Sequence, residues 1–291
     1  ISARKHMLPQ CLYYVDKHYN HQFNHDIIIF YHGQKYDDPE YRKMIQQINS
    51  KTKIQFHKLE YKLPNHIKET DLFYHKTQIP YVAKDFPKSR EGYLYANYFW
   101  NNFMNYPELK QYQYLIRIDD DSWFKQPITQ NIFEQLQQSQ QLCGTGYTWN
   151  HVQLRVLETR QHFFEWIKMY VKKYNVEIKN KKLKKYINEG EKDVISKIKY
   201  NKNFHSMKYL CGNCNIYNRK LFETKEWKQY LKEFNDFGGG YKYRWGDCEI
   251  ISLFYYIHIG DEFYDFKLKD KDLYHNQINN KWDCIFDKEC L

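Results

Sequence analysis

The sequence predicts an α/β fold: a mixed, mainly parallel sheet flanked by helices. Three observations carry this. Short apolar segments of strand length alternate with amphipathic segments of helix length through the opening of the chain. A later apolar strand ends abruptly in three aspartates, Asp119, Asp120 and Asp121. The 291 residues, 42% of them hydrophobic, suffice for one sizeable core. No linker or internal repeat divides them, so residues 1–291 are read as a single domain.

In order, residues 1–3 read as the tail of a strand with Arg4 at its exit. Residues 8–19 form an amphipathic helix. Residues 26–31 are a strongly apolar strand closed by His32 and Gly33. Residues 38–49 are a helix with Pro39 in its first turn, where a missing N–H costs nothing. Residues 53–59 alternate as a strand. A proline-punctuated loop leads to an aromatic helix at 92–104, the acidic strand, a helix at 127–138 and a strand at 142–147. A helix at 155–173 runs into a lysine-rich stretch to residue 202, read as surface. Residues 209–217 read as a strand and 220–234 as a helix. Gly238, Gly239 and Gly240 read as a flexible joint, and residues 249–259 as a buried helix or strand. Residues 264–269 and 272–275 close the domain.

The acidic strand organises the rest. Leu115, Ile116 and Ile118 suit a buried strand. Three ionised carboxylates cannot follow them into a core, so the chain surfaces there. Carboxylate oxygens clustered at a strand end suit a hard divalent cation, and open α/β sheets collect ligands beyond their strands' carboxyl ends. A solvated acidic turn is the plain alternative.

The net charge of +10 is compatible with nucleic acid, an anionic membrane surface or a phosphorylated substrate. The lysines concentrate at 168–202 without a nucleic-acid motif, and nucleic acid is not expected as a partner. The 29 tyrosines could line a sugar site, but Tyr, Lys, Asn and Ile are abundant together, as under a coding bias. Seven cysteines fit either a lumenal domain with two or three disulfides or a chain of free thiols, and Cys211 and Cys214 complete no zinc pattern. No membrane-length apolar run or signal peptide is visible, and the chain opens without Met. It is read as a fragment whose anchor lies elsewhere.

Three blocks in order resemble the fungal α-1,2-mannosyltransferases, glycosyltransferase family fifteen. Arg117-Ile118-Asp119-Asp120-Asp121 resembles the family's Arg-(Ile/Val)-Glu-Pro-Asp strand end. Gly212-Asn213-Cys214-Asn215-Ile216 and then Gly239-Gly240-Tyr241-Lys242-Tyr243-Arg244-Trp245-Gly246-Asp247 resemble its next strand and its Gly-rich Arg-Trp-Gly-Asp block. Leu273-Tyr274-His275-Asn276 resembles its terminal Gly-Tyr-x-His-Pro. The resemblance implies a GT-A-type fold in a type II Golgi membrane protein with a lumenal catalytic domain. It implies retaining transfer of mannose from GDP-mannose to a glycan or glycoprotein acceptor, with Mn2+.

It also implies site residues. Asp119 and Asp121 lie on one side of the chain and would hold the metal and the donor diphosphate, with His275 as a further ligand. Arg4 matches an arginine suited to nucleotide contact. Arg244, Trp245 and Asp247 would shape the sugar end, Trp245 by its ring face and Asp247 by accepting from sugar hydroxyls or helping to deprotonate the acceptor hydroxyl; the plain alternative is an Arg244–Asp247 ion pair with Trp245 in the core. Two departures stand out. Asn215 replaces a glutamate proposed as nucleophile, and a neutral amide cannot form a glycosyl ester. Asn97-Tyr98 replaces an arginine followed by an aromatic, so only Tyr98 is carried over as a donor contact. These departures leave open front-side attack assisted by the leaving phosphate, another nucleotide-sugar donor, or a degenerate homologue that binds without turnover.

Overall fold

The protein's structure, a computed structural model, describes residues 7–73, 90–146, 148–149, 162–189, 209–210, 214–260, 263–266, 268 and 273–275. Helix α1 (Met7–Val15) buries Met7, Leu8, Cys11, Leu12 and Val15, one face of a 3.6-residue repeat. It loosens into a π-helical turn (Asp16–Asn20) and ends at Asn24 in the left-handed region. Strands β1 (Ile27–Tyr31) and β2 (Ile54–Lys58) pair in parallel, with Ile29 opposite Phe56. The crossover is helix α2 (Pro39–Ile48), whose first turn is closed by the Asp38 carboxylate accepting from the Glu40 N–H at 3.0 Å.

Helix α3 (Arg90–Asn102) precedes β3 (Tyr114–Ile118) and β4 (Ser122–Phe124). Helix α4 (Ile132–Ser139) starts later than the sequence suggests, because Asn131 caps it by accepting from the Phe133 N–H. Strands β5 (Cys143–Thr145) and β6 (Thr148–Trp149), then helices α5 (Phe163–Tyr174) and α6 (Lys181–Glu189), follow. The lysine-rich stretch is therefore not all surface: α6 buries Leu183 and Ile187 beneath its lysines. The predicted strand at 209–217 is two strands. β7 (Tyr209–Leu210) pairs with β6, and β8 (Cys214–Asn218) enters the central sheet. The predicted helix at 220–234 is broken at Thr224 into a short turn (Lys220–Glu223) and helix α7 (Lys225–Phe237); helix α8 (Asp247–His258) and strands β9 (Tyr264–Asp265) and β10 (Leu273–His275) follow.

The central sheet has the order β3-β8-β5-β9. Its pairings are mixed: β5 and β9 are parallel, while β8 runs antiparallel to both neighbours. Strand alternation gives it two faces. Ile116, Ile118, Cys214 and Ile216 point into a cluster with α1 and α4, and Leu115, Tyr217 and Cys143 into a larger one with α3, α5, α7 and α8. Asn218 and Arg219 extend the ladder through bonds to Leu142 and Gln113.

A titratable imidazole, His258, packs against the larger cluster. Tyr170 Oη lies 3.0 Å from His258 Nε2, and Tyr230 and Phe254 crowd the imidazole. Burial pushes its pKa down to about 4, partly opposed by Glu226. The unfolded chain, with an ordinary imidazole, therefore binds more protons between roughly pH 6.5 and 4, and stability falls as pH drops through that window. The expected loss is on the order of 1–2 kcal/mol after discounting for partial exposure. Urea midpoints at pH 7 and pH 4.5 test this; a His258→Phe variant should lose this part of the pH dependence.

Candidate active site

The acidic turn lies where β3 leaves the sheet. The Ser122 N–H donates to the Asp119 carbonyl at 3.0 Å, closing a tight turn through Asp120 and Asp121. From beneath, the Cys11 thiol on α1 donates to the Ser122 carbonyl at 3.0 Å. Burial pushes that thiol well up, and Asp120, Asp121 and Asp119 raise it further. Cys11 is thus a neutral support for the turn. It is a free thiol, as are Cys143 and Cys214.

The three aspartates are not equivalent. Asp121 is 1% exposed. Asp120 is close enough to raise the buried Tyr36 and Tyr41 phenols, although burial is the larger cause for both. Asp119 pairs with Arg117 at 2.9 Å. The Arg117 guanidinium also lies over the Trp100 ring of α3, 5.3 Å from its centroid. Arg117 was missed as a supporting residue. Its signal was parity, since residues 117 and 119 share a side of an extended chain.

A polar row crosses the same face of the sheet. Arg117 is opposite Asn215, Asn215 opposite Thr145, and Thr145 opposite Asp265. The two middle residues are each 1% exposed. Asn215 Oδ1 is buried with no hydrogen-bond partner among the described residues. Leaving such an acceptor unpaired costs about 1–3 kcal/mol, so the amide is not explained by stability. The residue predicted at the reaction centre is therefore the enclosed floor of the row.

His275 reaches the turn through backbone register: β10 pairs antiparallel with β4, with His275 opposite Ser122. That places its Cα beside the residue following Asp121. Among the described residues no group of three or more His, Cys, Asp or Glu is assembled. Carboxylate oxygens are the donor type that suits Mn2+, and imidazole suits it less well. Arg4 lies outside the described residues.

The second half of the site is the segment from Gly238 to Asp247. It is not the flexible joint expected from its glycines. Gly238 ends α7 with φ at 75°, and Gly239, Gly240 and Tyr241 are buried in a short helical turn (Gly239–Lys242). Trp245 is fully buried, stacked on Phe237 at 5.2 Å and edge-on to Phe163 at 5.1 Å. The reading of Trp245 as a ring face for sugar is corrected here: both faces are in the core, and the ring anchors the turn. Between Tyr243 and Trp245, Arg244 is held at φ 61°, a left-handed conformation that side chains with a Cβ rarely adopt. Asp247 is the first residue of α8.

Arg244→Gly should relieve that backbone, gaining up to about 1 kcal/mol of stability, while removing the cation from the site. Thermal melts read beside turnover test the trade. A variant both less stable and fully active contradicts a functional origin for the strain.

Tyr98, the predicted donor contact, is half-buried on α3, with its ring edge-on to Tyr61 at 5.6 Å. Asn97 of the same helix is 1% exposed and donates to the Gly240 carbonyl at 3.2 Å. The structure thus places Asp119, Asp121, Asn215 and the His275 backbone around the ends of β3 and β8. Arg244, Trp245 and Asp247 form a separate turn tied to α3.

Comparison with known proteins adds three findings. The profile of a family described as Glycolipid 2-alpha-mannosyltransferase matches residues 6–280. Comparison with curated proteins finds no match. Among solved structures, the chain is similar to the mannosyltransferase Ktr4p from S. cerevisiae in complex with GDP, at 16% identity and a TM-score of 0.68. That match covers 90% of this chain and 65% of Ktr4p, so the chain spans just under two thirds of that protein. It is also similar to core-mannan synthase A (CmsA/Ktr4) from Aspergillus fumigatus in its Mn/GDP form, at 15% identity and a TM-score of 0.71, covering 95% of this chain and 72% of that one. At these identities the likeness establishes the fold.

Proposed function

The chain belongs to the glycolipid 2-alpha-mannosyltransferase family, and from that premise we propose that it transfers mannose from GDP-mannose to a mannose-containing glycan or glycoprotein, retaining the anomeric configuration. The observation that carries the proposal is the register of β10 on β4, which sets His275 against the end of the Asp119–Asp121 turn. Solved relatives of the same fold were obtained with GDP, and one with Mn and GDP, which supports the choice of donor and metal.

In this reading Asp119, Asp121 and His275 hold Mn2+. The metal, when bound, supplies positive charge that offsets the charge growing on the departing diphosphate. Arg117 holds Asp119 in place through their 2.9 Å ion pair. Arg244 presents its guanidinium to the sugar end of the donor. Asp247 accepts a hydrogen bond from the acceptor hydroxyl and orients it. Tyr98 and Arg4 contact the donor nucleotide.

Asn215 decides the stereochemical route. A carboxylate could attack the anomeric carbon, but an amide offers no anionic oxygen. Retention then follows from attack on the same face that the diphosphate leaves. The acceptor oxygen bonds to the anomeric carbon as the carbon–phosphate-oxygen bond breaks, and the acceptor's proton passes to the departing phosphate. The Golgi lumen is the proposed setting, and protease protection of the tagged full-length protein in sealed vesicles checks it. Among the described residues no helix is long and apolar enough to cross a membrane.

A donor panel tests the proposal: GDP-mannose against UDP-galactose and UDP-glucose, each with Mn2+ and with EDTA. Release of GDP only from GDP-mannose, abolished by EDTA, is the expected result. Turnover of a UDP-sugar instead would reassign the donor. GDP binding without turnover of any donor would mark a degenerate binding homologue, the reading that Asn215 and Asn97 favour.

A further inference from the structure

We propose that Asn97 is a positioning residue that fixes Arg244, making α3 the strut between the two halves of the site. The proposal rests on the assignment of Arg244 to the donor's sugar end. Asn97, Trp100 and Asn101 lie at i, i+3 and i+4, on one face of α3. Asn97 Nδ2 donates to the Gly240 carbonyl at 3.2 Å, and Asn101 Nδ2 to Tyr241 Oη at 3.2 Å. Between them, Trp100 covers the Arg117 guanidinium that holds Asp119. One helical face thus touches both the turn that carries Arg244 and the residue that orients the metal-side carboxylate.

The contact at Asn97 is too close to be incidental. A Cβ on Gly240 would lie 2.8 Å from Asn97 Oδ1 and 2.9 Å from its Cγ, so the glycine lets the backbone rest directly on the amide. Beyond that contact the turn has little freedom. The Trp245 N–H donates to the Gly239 carbonyl at 3.3 Å, and the Tyr243 N–H donates to the same carbonyl at 2.9 Å. Arg244 sits between these two bonds in its left-handed conformation. Such a conformation persists only where its surroundings over-determine it. The Asn97 amide clamps one side of the turn, and the Trp245 ring, buried against Gly239, clamps the other.

The test is a double-mutant cycle between positions 97 and 244, read with hydrogen exchange of amides 241–245. Asn97→Asp keeps the shape, loses the donor and sets a carboxylate against the Gly240 carbonyl. It should lower kcat/KM for GDP-mannose at least tenfold and speed exchange of those amides. In an Arg244→Ala background the same change should cost less than twofold, because the residue being positioned is gone. Equal losses in both backgrounds would reduce Asn97 to a purely structural role and overturn the proposal. Asn97→Ser, with a shorter donor, covers the case in which Asn97→Asp does not fold: unaltered kcat/KM and exchange in it would also overturn the proposal. If wild type turns over no donor, the mannosyltransferase reading fails on its own account, and exchange at 241–245 decides this one, standing if it quickens and falling if it does not.

Discussion

Gly239→Ala is expected to destabilise the protein by about 3 kcal/mol or more and to abolish turnover. The added Cβ would lie 2.0–2.3 Å from three atoms of the six-membered ring of Trp245, not at the end of a pliable side chain. That ring cannot retreat. It is enclosed by Phe163, Trp166, Phe234 and Phe237, with centroid distances from 5.1 to 5.7 Å, and is fully buried. Interiors packed at crystal-like density absorb such a group only by moving backbone, and the nearest backbone that can move is the turn carrying Arg244. Chemical denaturation and a turnover assay with GDP-mannose read both effects. The informative control is Gly260→Ala, where a Cβ would meet nothing within 4 Å and where both properties should be retained. A stable, active Gly239→Ala variant would mean that the turn repacks freely and that its glycine is not there to admit the tryptophan.

What could be read from the sequence was local. The apolar run ending in Asp119, Asp120 and Asp121 located β3 and its exit but not their depth: β3 is only partly buried, and Asp121 is 1% exposed. Pro39 behind Asp38 located the start of α2, and the structure shows the cap. The residues that were misread depend on contacts made far along the chain. The three glycines suggested flexibility because glycine permits it, yet Gly239 and Gly240 are there for close approach, one to Trp245 and one to Asn97, 143 residues away. Trp245 suggested a sugar platform because tryptophan often serves as one. In a chain that is 19% aromatic, no sequence pattern separates an exposed ring from one at the centre of a cluster. The antiparallel insertion of β8 between β3 and β5 was also hidden. Strand direction leaves no mark on composition, and only the register shows that Arg117, Asn215, Thr145 and Asp265 form one row.

Asp121→Asn should lower kcat/KM for GDP-mannose on the order of a thousandfold while leaving the chain folded. The two expectations have one physical source. Asp121 is 1% exposed in a turn whose other carboxylates, Asp119 and Asp120, follow one another along the backbone. Asparagine withdraws the charge without changing the side chain's shape, so the turn keeps its packing. The same charge is what a metal on the donor diphosphate requires, and withdrawing several kcal/mol of transition-state stabilisation corresponds to a loss of that size. The effect should separate by metal: Mn2+ should raise the wild type's turnover of GDP-mannose, and Mn2+ with GDP its thermal stability, and the variant should gain little of either. Arg117→Gln supplies the contrast. It frees Asp119 without removing a ligand, so it should cost about 10–100-fold, the range for residues that orient a metal's ligands. Should Asp121→Asn keep wild-type activity and Mn2+ response, the turn would be structural only, and the reaction would need another home in the fold.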